Sequence, residues 1–256
     1  MLSTEVIHGK NIDELWLQIA NLVIRQSSAP SCLLELDLDS VHKRRSAIRS
    51  PIQELVDKEL CKRGKPSTRE SALTIFPNEL WLRRKQMTCD EFSRFCVDRF
   101  LPRMKARNSK NRFGTYFERI MDYNCDQTSK GQLSLLVDEM KNGRKRPRES
   151  MLQLAIYDPR RDLSRMPRRG FPCLQQISLS YGSGREFCVN ATYPVQYIFD
   201  RAYGNYLGLC HLGEFIAEQT GWDFKKLCVF VISPRLGEIG KTELRLLLET
   251  CDALTN

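Results

Sequence analysis

The sequence has 256 residues, of which 41% are hydrophobic and 28% are charged, a balance typical of a globular protein with a full core. No apolar run approaches the roughly 20 residues that a transmembrane helix needs, and the first residues lack a secretory signal pattern, so the expected location is the cytoplasm. The net charge of +9 points to anionic partners such as a nucleotide, a nucleic acid or an acidic protein.

In the first half of the chain, apolar residues recur at helical spacing over 11–26 and again over 51–64, and both segments are predicted to be helices. Between them, 31–39 is predicted to be a strand because its leucines alternate with acidic residues. A further helix is predicted from about 89 to 103. The polar segment 104–130 is predicted to be irregular around one aromatic cluster.

The second half is predicted to contain, in chain order, a helix at 131–143, a strand at 150–159, an antiparallel pair formed by "CLQQISLSY" and "REFCVNATY", a helix at 205–221, a strand at 226–233 and a helix at 241–254. Helices and strands alternate without the rhythm of a doubly wound parallel sheet, and no glycine-rich phosphate loop is present. The predicted fold class is therefore α+β, with a mixed sheet and flanking helices in one domain.

Ten cysteines are scattered along the chain without a C-x-x-C pair, and only three histidines accompany them. Cysteines of a cytosolic protein are usually reduced and buried, so neither a disulfide framework nor a metal site is predicted.

Basic residues are concentrated in four segments, at 42–49, 103–112, 142–148 and 158–170. Most such runs are solvated loops, but the last two lie shortly before a Pro-Cys pair, where arginines would suit a phosphate. The candidates in the last segment are Arg160, Arg161, Arg165, Arg168 and Arg169.

The Pro-Cys pair begins an ordered set of motifs. "FPCLQQISLS" is followed by "GSGREFC", then "TYPVQYIFDRAYGN", then "YLGLCHLGEFIAEQTG". From about Leu152 to Ser233 this order and spacing resemble the thymidylate synthase and deoxycytidylate hydroxymethylase superfamily. The resemblance implies a single thymidylate-synthase-like domain over 1–256, in which 131–256 is the best-matching core and 1–110 is a divergent N-terminal part.

The resemblance also implies roles for individual residues. Cys173 falls on the nucleophile that adds to C6 of a pyrimidine, so that C5 attacks a one-carbon unit supplied by a tetrahydrofolate derivative. Asn205 falls on the residue that reads the polar edge of the pyrimidine, and a side-chain amide offers both donors and an acceptor for this. Tyr193 and Gln196 remain from the family's polar motif. A homodimer is implied, in which one face of the sheet packs against its twin.

Several positions depart from the family pattern. Pro194 replaces the arginine that holds the phosphate, Val195 the neighbouring serine, Tyr197 an aspartate and Leu174 a histidine. A cysteine with a pKa of about 8.5 is only a few per cent thiolate at neutral pH, so a nucleophile needs a cation or base nearby.

Three arginines are candidates for the missing cation: Arg201, Arg168 and Arg169. Arg148 lies near the place of the arginine pair that the family lends across its dimer interface, and it would serve only with a shift in register. Without such replacements, Cys173 is expected to be a weak nucleophile.

Two interpretations stay open for each main candidate. Cys173 is either an inert buried thiol or a nucleophile, and Asn205 is a helix N-cap, a base-reading group, or both. Three functions follow: a catalytically degenerate member that binds a nucleotide or assembles with a partner, a C5 transferase using Cys173, or a nucleic-acid-binding protein. The last depends on the basic clusters alone, because no compact nucleic-acid motif is present.

Overall fold

The computed structural model describes residues 3–26, 29–38, 49–107, 114–121, 130–141, 146–163, 165 and 172–255. Its centre is a six-stranded mixed sheet in the order β1-β2-β6-β5-β4-β3. The strands are β1 (Thr4–Gly9), β2 (Ser31–Asp37), β3 (Gln153–Ala155), β4 (Gln176–Tyr181), β5 (Glu186–Tyr197) and β6 (Asp223–Arg235). The predicted α+β class, a mixed sheet with flanking helices, is confirmed.

Two pairs of strands are parallel, β1 with β2 and β5 with β6, and the remaining neighbours are antiparallel. Parallel neighbours need a crossover, and a helix supplies it in both cases. The helices are α1 (Ile12–Arg25), α2 (Pro51–Lys62), α3 (Thr68–Leu73), α4 (Asn78–Leu82), α5 (Cys89–Phe95), α6 (Leu101–Arg107), α7 (Tyr116–Met121), α8 (Gln132–Lys141), α9 (Pro159–Asp162), α10 (Tyr203–Thr220) and α11 (Lys241–Thr255). Helix α1 joins β1 to β2, and α10 joins β5 to β6.

The hydrophobic core lies on one face of the sheet, which we call the covered face. Alternate strand residues point to it, among them Leu34, Val189 and Val229, which are fully buried, and α1 and α10 pack there. Because side chains alternate along a strand, the residues between them form the opposite face. On this open face, residues such as Leu33, Asn190 and Cys228 are only half-buried.

The predicted elements are present, with differences in their bounds and number. The helix predicted from 89 continues to 107 through a π-helical turn, Cys96–Phe100. The strand predicted at 150–159 shrinks to β3, after which Pro159 begins the short helix α9 instead of only ending a strand. Strand β1 and the helices α3 and α4 were not predicted.

The segment 104–130, predicted to be irregular, contains α7. Thr115 Oγ1 accepts a hydrogen bond from the backbone N–H of Glu118 (3.2 Å), the arrangement that a T-x-x-E sequence favours at a helix N-terminus. That signal was overlooked. No helix among the described residues has the length and apolar character needed to cross a bilayer.

Candidate functional site

Cys173 lies just before β4, at the end of the sheet where β3 and β5 meet that strand. The backbone N–H of Gln175 donates to the Thr192 carbonyl on β5 (3.0 Å), and the Ile156 N–H beyond β3 donates to the Gln175 carbonyl (2.9 Å). These bonds continue the sheet past the first residue of β4 and fix the backbone that carries the thiol. Cys173 itself is half-buried and packs against the core.

Tyr116, at the start of α7, is a polar neighbour of this thiol. Its phenol group hydrogen-bonds with the Cys173 side chain and with the backbone amides of Leu174 and Cys173. Burial raises the pKa of Tyr116 to about 12, so the phenol is neutral and able to donate. Tyr116 was not predicted as a site residue, because the helix that positions it was not predicted.

Arg201 supplies positive charge to the thiol. Burial raises the pKa of Cys173, whereas the Arg201 guanidinium and the Tyr116 hydrogen bond act in the opposite direction without cancelling the effect of burial. Cys173 is therefore predominantly a thiol at neutral pH. Of the predicted replacement cations, Arg201 is the one that lies near Cys173 in the part of the chain that the structure describes.

The position of Arg201 depends on a π-helical turn and on α3. The turn, Ile198–Ala202, lies between β5 and α10, and Arg201 Nη1 donates to Ser71 Oγ on α3 (3.4 Å). Asp200, the residue before Arg201, does not form an ion pair with it. Its carboxylate instead accepts a hydrogen bond from the Glu238 backbone N–H (3.1 and 3.2 Å), which leaves Arg201 available to the thiol.

Gly204 allows α3 to come close enough for that contact. A Cβ at Gly204 would lie 2.5 Å from both Ser71 Cβ and the Thr68 carbonyl oxygen, well inside any real contact. The glycine therefore sets the distance between α10 and α3 and, through Ser71, the position of Arg201.

Tyr193 and Gln196 of β5 are fully buried. The Tyr206 hydroxyl donates to Gln196 Oε1 (2.8 Å), but Gln196 Nε2 and the Tyr193 hydroxyl are buried without a hydrogen-bond partner. Burial and the nearby Tyr116, Tyr206 and Cys173 raise the pKa of Tyr193 well above its ordinary value. Buried polar groups are almost always paired, so two orphaned groups on one strand are unusual.

Asn205 lies within α10, not at its start. The helix begins at Tyr203 and continues from the π-helical turn, with Ala202 as the preceding residue, so the N-cap interpretation of Asn205 is wrong. Its side chain is 3% exposed, and no hydrogen bond joins its amide to another described residue. The spacing of four residues places Asn205 one turn after Arg201 on the same side of the helix.

Pro194 lies within β5 without disturbing the sheet. Backbone groups of alternate strand residues point to the same neighbour, and Thr192 already uses the Gln175 N–H. The nitrogen of Pro194 therefore points beyond the first residue of β4, where no ladder bond is lost.

The remaining predicted arginines divide into two groups. Arg168 and Arg169 lie outside the described residues. Arg148 is exposed, with its backbone N–H donating to Glu139 (2.8 Å). The neighbouring Pro147 carbonyl accepts from the Tyr181 hydroxyl (3.0 Å), at the opposite end of β4 from Cys173. Within one chain, Arg148 is thus not brought to the thiol.

Arg160 and Arg165 are exposed, and Arg161 pairs with Asp158 (3.4 Å). No group of three metal-binding side chains occurs in the part of the chain that the structure describes.

No family model matches the chain, and no curated protein matches it. A solved structure, thermostable thymidylate synthase A from Bacillus subtilis, matches with a TM-score of 0.44 and 12% sequence identity, over 57% of this chain and 54% of that one. The similarity thus spans about half of that enzyme and, at this score, carries no argument about activity or site residues.

Proposed function

We propose that this chain is a divergent member of the thymidylate synthase and deoxycytidylate hydroxymethylase superfamily that binds a pyrimidine nucleotide around Cys173 without the family's usual chemistry. The sequence resemblance suggests the ligand class, and one structural observation supports it most strongly. Two side chains of β5, Tyr193 and Gln196, are fully buried yet end in groups with no hydrogen-bond partner, and the buried Asn205 amide forms no hydrogen bond with another described residue.

Orphaned buried polar groups cost about 1–3 kcal/mol each, so a ligand that pairs with them would recover that free energy on binding. A pyrimidine ring carries carbonyl and ring-nitrogen groups along one edge. The free Nε2 of Gln196 suits a carbonyl, and the Asn205 amide suits a donor and an acceptor side by side. A single-domain arrangement over 1–256 is part of the proposal, and it is supported by β1 and β2 sharing a sheet with β3 to β6.

Two features support binding rather than catalysis. Burial keeps Cys173 protonated at neutral pH, despite Arg201 and Tyr116. The phosphate anchors of the family are replaced by Pro194 and Val195, and each charge-assisted contact of that kind contributes about 1.5–3 kcal/mol. The expected ligand is therefore held mainly by its base.

Calorimetric titration with a pyrimidine nucleoside monophosphate, and with a purine monophosphate for comparison, tests the proposal. We expect binding of the pyrimidine only, and we expect Asn205→Ala to weaken it about tenfold or more. Asn21→Ala, a half-buried asparagine on α1, is the matched control and should bind normally. Absence of binding, or equal affinity in the Asn205 and Asn21 variants, would contradict the proposal.

A second function, C5 one-carbon transfer with a tetrahydrofolate derivative as second substrate, is favoured by the arrangement of Tyr116 and Arg201. Both act on the Cys173 sulfur in the direction that would stabilise its thiolate, as a nucleophile requires. Steady one-carbon turnover by the pure protein, lost in a folded Cys173→Ala variant, would establish this function and refute the degenerate one. Activity that survives the substitution would exclude covalent catalysis at this thiol.

We also propose that the open face of the sheet associates with a second copy of the chain. Val6 and Ile232 are large apolar residues on this face and are 53% and 44% exposed. Sedimentation velocity should show a dimer that Ile232→Lys dissociates, whereas Leu254→Lys, on an exposed position of α11, leaves it intact. A monomer at all concentrations would contradict the association.

Nucleic-acid binding through the basic clusters has no support from the described residues beyond charge. Affinity for short DNA or RNA that falls steeply with salt would be required for it.

A further inference from the structure

Two cysteines meet on the open face, away from the Cys173 site. Cys188 of β5 and Cys228 of β6 place their sulfur atoms 3.5 Å apart. The strands pair Cys228 with Asn190 and Cys188 with Lys226, and the register shifts between Phe187 and Cys188. The cysteines are therefore diagonal neighbours at an irregular point of the β5–β6 ladder, and both are half-buried.

The surroundings make these two thiols unequal. The Cys188 S–H is within hydrogen-bond distance of the Cys228 sulfur (3.5 Å), Asn190 Oδ1 (3.5 Å) and the Val189 carbonyl (3.6 Å). Its hydrogen bond to Cys228, helped by Lys226, lowers the pKa of Cys228 although burial, Glu35 and Asp37 oppose it. The same hydrogen bond and burial raise the pKa of Cys188. Burial raises the pKa of the other described cysteines for which a shift is resolved: Cys32, Cys89, Cys96, Cys173, Cys210 and Cys251.

We propose that Cys188 and Cys228 are a redox-active dithiol that a low-molecular-weight disulfide converts into an intrachain disulfide. The Cys228 thiolate attacks one sulfur of the small disulfide, forming a mixed disulfide and releasing one small thiolate, which takes up a proton. Cys188 then loses its proton and attacks the Cys228 sulfur, which releases the second small thiol. Two protein thiols are oxidised and one small disulfide is reduced to two thiols, so electrons and protons balance.

The geometry indicates a labile bond. The sulfur atoms must move from 3.5 Å to about 2 Å, and we expect the diagonal placement to leave the bond strained. A disulfide formed under such strain is reduced readily, as is typical of regulatory rather than structural disulfides. The site lies on the face opposite Tyr193, so it does not rest on the proposed nucleotide binding.

The test is incubation of the reduced native protein with oxidised glutathione, at concentrations where sedimentation shows monomers, followed by alkylation and peptide mapping. We expect a Cys188–Cys228 link within one chain, confirmed on a non-reducing gel and reversed by mild dithiol. The exposed Cys61 is the internal control and should form only a mixed disulfide.

Two variants test the order of steps. Cys188→Ser should trap glutathione on Cys228, and Cys228→Ser should leave Cys188 modified at least tenfold more slowly. No link between the two residues in the native protein, a link between chains, or equal modification in the two variants would overturn the proposal.

Discussion

The two faces of the sheet differ in how their polar groups are paired. On the open face, where water is near, the Asn190 amide donates to the Ser178 carbonyl (3.2 Å) and to Ser180 Oγ (3.1 Å), and His8 Nδ1 lies 3.0 Å from a Glu35 carboxylate oxygen. On the covered side, the Tyr193 hydroxyl and Gln196 Nε2 have no partner. Because an unpaired polar group costs more free energy when it is buried, stability alone would favour paired groups on the covered side. The unpaired groups are therefore the better guide to function.

The cysteines on the two faces also differ, in the direction in which their pKa is shifted. Cys173, at the covered side, has a cation and a phenol beside it but remains a thiol because burial dominates. Cys228, on the open face, has its pKa lowered by a neighbouring S–H. Burial outweighs the charge and the hydrogen bond at Cys173, whereas at Cys228 the hydrogen bond outweighs burial.

The largest predicted difference between the two faces is in the unfolding free energy lost when neighbouring leucines of β2 are replaced. Leu34 is fully buried on the covered face and Leu33 is half-buried on the open face. Leu34→Ala should lower the free energy of unfolding by about 2–5 kcal/mol, and Leu33→Ala by less than about 1 kcal/mol in monomeric protein. Urea denaturation measures both, and equal losses would mean that the open face is covered in solution.

A buried histidine on the covered side should make stability depend on pH. Burial, with a contribution from Arg69, lowers the pKa of His211 to about 4, and neither ring nitrogen has a hydrogen-bond partner. Between pH 6.5 and 4 the unfolded chain binds a proton that the native state does not, so stability falls as the pH is lowered through this window, by up to about 3 kcal/mol.

The contribution is isolated by comparing urea denaturation of the protein and of His211→Leu across that range. We expect the difference in unfolding free energy to change with pH in favour of the variant as the pH falls. A difference that stays constant would show that His211 is protonated equally in both states.

Substitution at Gly204 should be costly because α3 packs against it. Gly204→Ala is expected to lower the free energy of unfolding by about 1–3 kcal/mol through overpacking. Gly182→Ala is the control, since nothing lies within 4 Å of a Cβ at that position. Thermal denaturation compares them, and equal melting temperatures would contradict the close approach of α3 and α10.

The smallest predicted effect is on the rate at which Cys173 is alkylated. Its alkylation by iodoacetamide should be slow at neutral pH and should accelerate above the ordinary cysteine pKa of about 8.5. Arg201→Gln should shift this profile of rate against pH to still higher pH. Arg245 is an exposed residue of α11, and Arg245→Gln should leave the profile unchanged. Peptide mapping follows the rate, and a profile that Arg201→Gln does not move would remove Arg201 from the site.

Much of the fold could be predicted from the sequence. The alternating leucines of β2 and the hairpin of β4 and β5 follow directly from side-chain periodicity. Helix α7 was missed because its six residues are too few for periodicity to show.

The site itself stays a prediction. The family resemblance named Cys173, Tyr193 and Gln196, and Arg201 was a candidate replacement cation. Tyr116 reaches Cys173 through a contact between distant segments that no local pattern encodes. Asn205 was given a capping alternative because its helix was expected to begin there, and the π-helical turn before α10 moves that beginning upstream.

The most direct test of the account is a crystal structure of the protein grown with a pyrimidine nucleoside monophosphate. We predict the base beside Cys173, its polar edge hydrogen-bonded to Asn205 and Gln196, and no covalent bond to the sulfur. Density for the nucleotide at another place, or none at concentrations that saturate binding in solution, would contradict it.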